Sequence, residues 1–177
     1  MNKKTIWIAG IIIVVIIAIF ALVNNRGAEK ETIKIGVVAP LTAGATVYGE
    51  NLVKGIELAR ADLGNNASHY ELIIEDDGGN VGKSASAAQK LINVDGVKAI
   101  VSVTSGTGNA VQKIASQYGV AHICDCVDTS IATGTGFIYS VLPQEESKSW
   151  LTEAAARGAK TVFLITQNQA GANLLRE

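Results

Sequence analysis

IKIGVVAPLTAGATVYGENLVKGIELARADL, residues 33–63, is the stretch that decides the fold. It opens on the apolar run IKIGVVA, closed by Pro40, and such a run predicts a buried strand. It ends on residues 51–63, where Leu52, Val53, Ile56, Leu58 and Ala59 recur at helical spacing before Gly64-Asn65-Asn66 stops them. Between the two lies a loop of small and hydroxylated residues. The same alternation then repeats: a strand over 70–75, a helix over 81–94 with Asn80 as N-cap, and a strand over 97–103. A helix over 108–118 stops at Gly119, and a strand comes next over 120–124. Strand and helix in alternation predict stacked βαβ units, an α/β fold with a parallel sheet flanked by helices. Further on, FIYSVLP after Gly136 predicts another strand, residues 145–157 a helix closed by Gly158, and residues 161–165 one more strand. A helix opens at 172–177 with no cap to close it, which points to a longer natural chain.

Outward from this core the N-terminus changes character. TIWIAGIIIVVIIAIFALV, residues 5–23, is apolar at every position except Thr5 and Gly10. As a helix it spans roughly 28 Å, close to the thickness of a bilayer core. Lys3 and Lys4 precede it, so residues 1–4 read as a cytoplasmic n-region and residues 24–177 as exported. The run is longer than an ordinary signal core and lacks an A-x-A site, which favours a retained transmembrane anchor; a cleaved signal peptide is the alternative. Residues 24–31 (NNRGAEKE) form a polar linker. Residues 32–143 read as one complete lobe and 144–177 as the start of a second, truncated one.

Composition removes several classes of function. Fifteen Lys+Arg stand against sixteen Asp+Glu, a net charge of −1 with no basic cluster, so no nucleic-acid partner is expected. Two Cys and two His, without a metal-ligand spacing, leave no metal and no cofactor to expect. The loop after the first strand lacks G-x-G-x-x-G, and no phosphate-binding G-x-x-x-x-G-K appears. His69 and His122 fall in separate elements with no nucleophile beside them, so an enzyme is the least favoured reading.

In parallel α/β sheets ligands sit beyond the C-terminal ends of the strands. Three loops there are rich in small and hydroxyl residues: LTAGATVYG (41–49), TSGTG (104–108) and CVDTS (126–130). Such residues let backbone amides approach a guest, although they serve plain turns equally well. Cys124 and Cys126 share a strand face, and three readings stay open: small buried thiols, a local disulfide at the limit of extended geometry, or a redox or metal role. Asp76-Asp77 before two glycines reads as a turn with negative charge near the next helix start. His122 on an apolar strand reads as a satisfied core residue, and Asn66-Ala67-Ser68 matches a glycosylation sequon.

The segments IKIGVVAPLTAGATVYGENLVKGIELA, LIIEDDGGN, AIVSVTSGTGNAV, YGVAHI and FIYSVLPQEESKSWLTEAAARGAKTVFLI carry a resemblance when taken in order. They resemble the N-terminal part of type I periplasmic binding proteins, the branched-chain amino-acid (leucine/isoleucine/valine) substrate-binding subunits of ABC transporters. The resemblance implies two Rossmann-like lobes closing about a hinge on a small solute, an ABC transporter permease as partner, and an extracytoplasmic location. It implies a ligand set of Tyr48 as an aromatic wall, Ser105, Gly106 and Thr107 as a carboxylate-holding turn, and Cys126, Asp128 and Thr129 on the loop beside the ligand head group. The sequence departs from the family there, with CDCVD at 124–128 in place of Ser-Pro-Gly/Ala-Ala-Thr. A carboxylate at Asp128 in contact with a bound carboxylate costs roughly 1–4 kcal/mol and would favour an ammonium or hydroxyl, so a cationic or neutral solute and an Asp128 that faces away are both open readings. A ligand-sensing receptor domain is the alternative with the same lobes.

Overall fold

The structure is a computed structural model that describes residues 32–163 together with residues 16 and 165. Apart from residue 16, the N-terminal anchor or signal segment lies outside the described residues, as do the linker over 24–31 and the helix start over 172–177. Among the described residues no helix is long and apolar enough to cross a membrane.

Five parallel strands form one sheet in the order β2-β1-β3-β4-β5: β1 Ile33–Ala39, β2 Tyr70–Asp76, β3 Ala99–Val103, β4 Ala121–Asp125 and β5 Gly136–Ile138. The helices between them are α1 Thr46–Asp62, α2 Val81–Lys90, α3 Ser105–Tyr118 and, after the sheet, α4 Pro143–Ala156. Register is continuous at the centre, with Val37 opposite both Ile74 of β2 and Val101 of β3.

The alternation of side chains along β1 sorts the two layers. Val37 and Ala39 point with Val103 to the face covered by Leu52, Val53 and Ile56 of α1. Val38 points to the opposite face, where Ile100 packs with Ala87, Ala88 and Leu91 beside Val111 and Ile114 of α3. Leu91 is fully buried because Gly36 leaves room for it: a Cβ on Gly36 meets the Leu91 methyl at 2.8 Å. Leu91 opens a single π-helical turn, Leu91–Asp95, and Gly96 ends it in the left-handed conformation at φ 72°. Asn80 caps α2 by accepting from the Lys83 N–H at 3.0 Å, as its sequence position predicts. Gly119, at φ 67°, likewise closes α3.

Between the sheet and α3 runs a buried polar chain. His122 Nε2 meets Ser102 Oγ at 2.8 Å and Nδ1 meets Gln112 Oε1 at 2.9 Å. Gln112 donates through Nε2 to Ser116 Oγ and to the Thr133 carbonyl. Since Gln112 Oε1 only accepts, the imidazole donates from Nδ1 and accepts the Ser102 hydroxyl at Nε2, the neutral form. Burial pushes its pKa down to about 4.

Three expectations fail at the edges. The strand placed on FIYSVLP shortens to Gly136–Ile138, because its partner β4 ends at Asp125. The strand placed on 161–165 does not form at residues 161–163 or 165. Their apolar side chains stay open, with Val162, Phe163 and Ile165 at 59%, 89% and 95% exposure, and no strand of the described sheet lies alongside to take their backbone hydrogen bonds. Helices α1 and α3 begin earlier than apolar spacing indicates, at Thr46 and Ser105, since their first turns, residues 46–49 and 105–108, do not carry the apolar stripe that marks the rest of each helix.

Candidate ligand-binding site

All five strands point their C-terminal ends the same way, and the order reverses between β1 and β3. The crossover from β1 leaves on one face and that from β3 on the other, so a crevice opens between them. A cavity of about 610 Å3 occupies it. Ala45 and Tyr48 form one wall, the β3–α3 turn (103–107) the floor, and Asp125, Cys126 and Val127 the far side.

The floor is an unusual turn. Thr104 adopts φ 75° and ψ 141°, a region that a β-branched residue occupies only when its surroundings hold it there. Its N–H donates to the Asp125 carbonyl at 3.3 Å and its own carbonyl accepts from Gly108 N–H at 2.9 Å. Thr107 donates its hydroxyl to the Val103 carbonyl at 2.9 Å, so the 2.7 Å contact between the two threonine hydroxyls is donated by Thr104. This turn delivers the start of α3 to the cavity. The N–H groups of Ser105, Gly106 and Thr107 have no acceptor among the described residues, and neither does the Ser105 hydroxyl. Three free amides at the positive end of a helix form a seat for an anionic group.

Two supports fix this seat. Gly108 lies on the sulfur of Cys124, where a Cβ would stand 2.5 Å from Sγ. Cys124 and Cys126 are joined in a disulfide with Cα atoms 5.3 Å apart, so they are not the free thiols that extended geometry favours. The extended spacing of about 7 Å does not apply, because the chain bends out of β4 after Asp125. The opposite wall is held by Asp76, which accepts from Leu41 N–H (2.8 Å), Thr42 N–H (3.2 Å), the Thr42 hydroxyl (2.6 Å) and Gly78 N–H (2.9 Å). These bonds, the Thr42 hydroxyl foremost, hold its carboxyl down at about 2. Gly49, packed on the Pro40 carbonyl with no room for a Cβ, brings the first turn of α1 and Tyr48 close to the strand end.

The residues singled out from sequence divide into two groups. Tyr48, Ser105, Gly106, Thr107 and Cys126 line this one cavity. Asp128 and Thr129 do not line it. The Asp128 carboxylate accepts from Asn109 Nδ2 at 2.7 Å and from Ser130 N–H at 3.0 Å, capping the short turn Thr129–Ile131. Burial pushes its carboxyl up, but hydrogen bonds from Ser130 and Asn109 outweigh this and hold it below the usual carboxylate range. Sequence reasoning missed Asp125 and Ser140 as lining residues, and it missed the long reach of Asp76. Among the described residues no group of three His, Cys, Asp or Glu side chains is placed to hold a metal ion.

A family model described as periplasmic binding protein matches residues 32–177. The chain belongs to the periplasmic binding protein family. A Leu/Ile/Val-binding protein homologue of Brucella melitensis is 32% identical over 124 residues, 67% of this chain and 32% of the relative. This chain therefore spans about a third of the length of the curated relatives it matches. Among solved structures, an ABC-transporter solute-binding protein of Rhodopseudomonas palustris in complex with 3,4-dihydroxybenzoic acid is 27% identical with a TM-score of 0.73, over 82% of this chain and 42% of that one. The leucine-binding protein LivK of Thermotoga maritima shares the fold at 24% identity and TM-score 0.71, over 82% of this chain and 43% of its own. The type I periplasmic binding protein fold is thus the fold of this chain.

Proposed function

We propose that this chain forms the ligand-capturing lobe of an extracytoplasmic solute-binding protein that serves an ABC transporter and does no covalent chemistry. The observation that carries the reading is the seat on α3: free amides at 105–107 and a free Ser105 hydroxyl on an open cavity at the strand-order reversal. A small carboxylate fits it, with the anionic end on the amides and the body against Tyr48, Val103 and Val127. Residues 144–177 open a second lobe, and closure of that lobe about a hinge completes the guest's enclosure. The N-terminal segment holds the protein at the outer face of the membrane, where a permease receives the solute. The neighbour that holds 3,4-dihydroxybenzoic acid and the Leu/Ile/Val-binding homologues bracket the solute class between aromatic acids and amino acids.

Gly106 provides the test. Nothing lies within 4 Å of a Cβ built on it, so Gly106→Leu leaves the fold intact while its side chain enters the seat. NMR titration with leucine and with 4-hydroxybenzoate is expected to show binding by the chain and at least about a tenfold loss in the variant, at an unchanged unfolding midpoint. Equal binding by both proteins refutes the seat.

A further inference from the structure

The disulfide Cys124–Cys126 joins residues two apart, so the loop it closes contains Asp125 alone. The stabilisation a disulfide gives to a whole chain grows with the loop it closes, so what this one restrains is local. Its neighbours are the two ends of the hydrogen bond that opens α3. Cys124 Sγ lies 3.6 Å from the Thr104 carbonyl, and a Cβ on Gly108 would stand 2.5 Å from the same sulfur. Between the two half-cystines, the Asp125 carbonyl accepts from Thr104 N–H, the bond that helps hold Thr104 at φ 75°. Cys124 has no exposed surface, whereas Cys126 is 5% exposed and lines the cavity. A reductant therefore reaches the pair from the cavity side, at Cys126.

We infer that Cys124–Cys126 is a thiol-exchange site whose redox state sets how firmly the 105–107 seat is held. Its consequence for affinity rests on the proposed solute-binding role; its chemistry does not. The reductant is a dithiol. Its first thiolate attacks Cys126 Sγ, the bond between the two cysteines breaks, and Cys124 leaves as a thiolate that takes a proton. The second thiolate of the reductant then attacks its own sulfur in the mixed disulfide, which closes the oxidised reductant and releases Cys126 to take the second proton. Two electrons and two protons pass from the dithiol to the pair. The Asp125 peptide, no longer held in a ring, is free to turn away from Thr104 N–H. Thr104 then loses the acceptor that helps fix its positive φ, and the first turn of α3 frays.

The experiment follows amide hydrogen exchange in the oxidised chain, in the chain held in dithiothreitol, and in a Cys124→Ala, Cys126→Ala variant, with the thiols counted by mass after alkylation. On reduction, two thiols should appear and exchange at Thr104 and Gly108 should accelerate about tenfold. Exchange at Ser84, whose N–H donates to the Asn80 carbonyl at the start of α2, should not change. The variant should match the reduced chain and ignore dithiothreitol. A disulfide that stays closed in the folded chain, equal exchange at 104 and 108 in both redox states, or acceleration that includes Ser84 overturns the inference. Leucine is then titrated against both redox states, with the shifts of amides 105–107 as readout, and about tenfold weaker binding by the reduced chain is expected. Equal binding overturns the control of affinity. No shift at those amides in the oxidised chain overturns the solute-binding reading, while exchange at 104 and 108, measured without solute, still decides the thiol chemistry.

Discussion

Acidification tests the buried polar chain, with His122 as its titrating member. The imidazole is fully buried and neutral, and burial lowers its pKa from 6.5 to about 4. The unfolded chain takes up a proton near the ordinary value, while the folded chain resists until the lower one. The contribution of His122 is therefore fully present above pH 6.5 and is lost as pH falls through about 4. At about 1.4 kcal/mol per pH unit, the gap amounts to about 3 kcal/mol. Urea unfolding between pH 7 and pH 4, for the chain and for His122→Asn, reads this directly. The difference in unfolding free energy between the two proteins should shrink by about 3 kcal/mol toward pH 4, since Asn does not titrate. A difference that stays flat across the window, or grows on acidification, refutes the neutral buried imidazole.

Three further outcomes are expected from the same contacts. Gly108→Ala places a methyl 2.5 Å from Cys124 Sγ, and a drop of about 1–3 kcal/mol in unfolding free energy is expected, relieved in a Cys124→Ser, Cys126→Ser background. Asp76→Ala removes the acceptor of two loop N–H groups, so amide exchange at Leu41 and Thr42 should accelerate selectively; unchanged protection there counts against the role of Asp76. With its carboxyl held at about 2, Asp76 supports the fold above the ordinary carboxylate value and ceases to as pH falls through about 2. Circular dichroism should therefore place the acid transition of Asp76→Asn above that of the unaltered chain.

Much of this architecture is legible in the sequence because it is local. Apolar runs such as IKIGVVA announce strands, and Asn80, Gly96 and Gly119 stop or start helices by chemistry carried within a few residues. The helix start at Ser105 is not legible, because it depends on Thr104 held at positive φ by a carbonyl of a different strand. Asp128 resembles a ligand-facing residue only until Asn109, nineteen positions earlier, is brought against it. Asp76 looks like a turn residue and is also a clamp on a loop 34 and 35 residues away. The strand expected over 161–165 has the right composition, but composition does not supply the neighbouring strand that pairing demands. The disulfide belongs with these cases, since it needs the bend after Asp125, which periodicity does not encode.

The central claim is that the α3 start is the anchoring point of the solute. The most direct measurement is a structure of the chain with a bound carboxylate probe such as leucine. The account predicts a carboxylate oxygen within about 3 Å of amide nitrogens among residues 105–107. A probe ordered elsewhere on the lobe, with those amides facing only water, contradicts it.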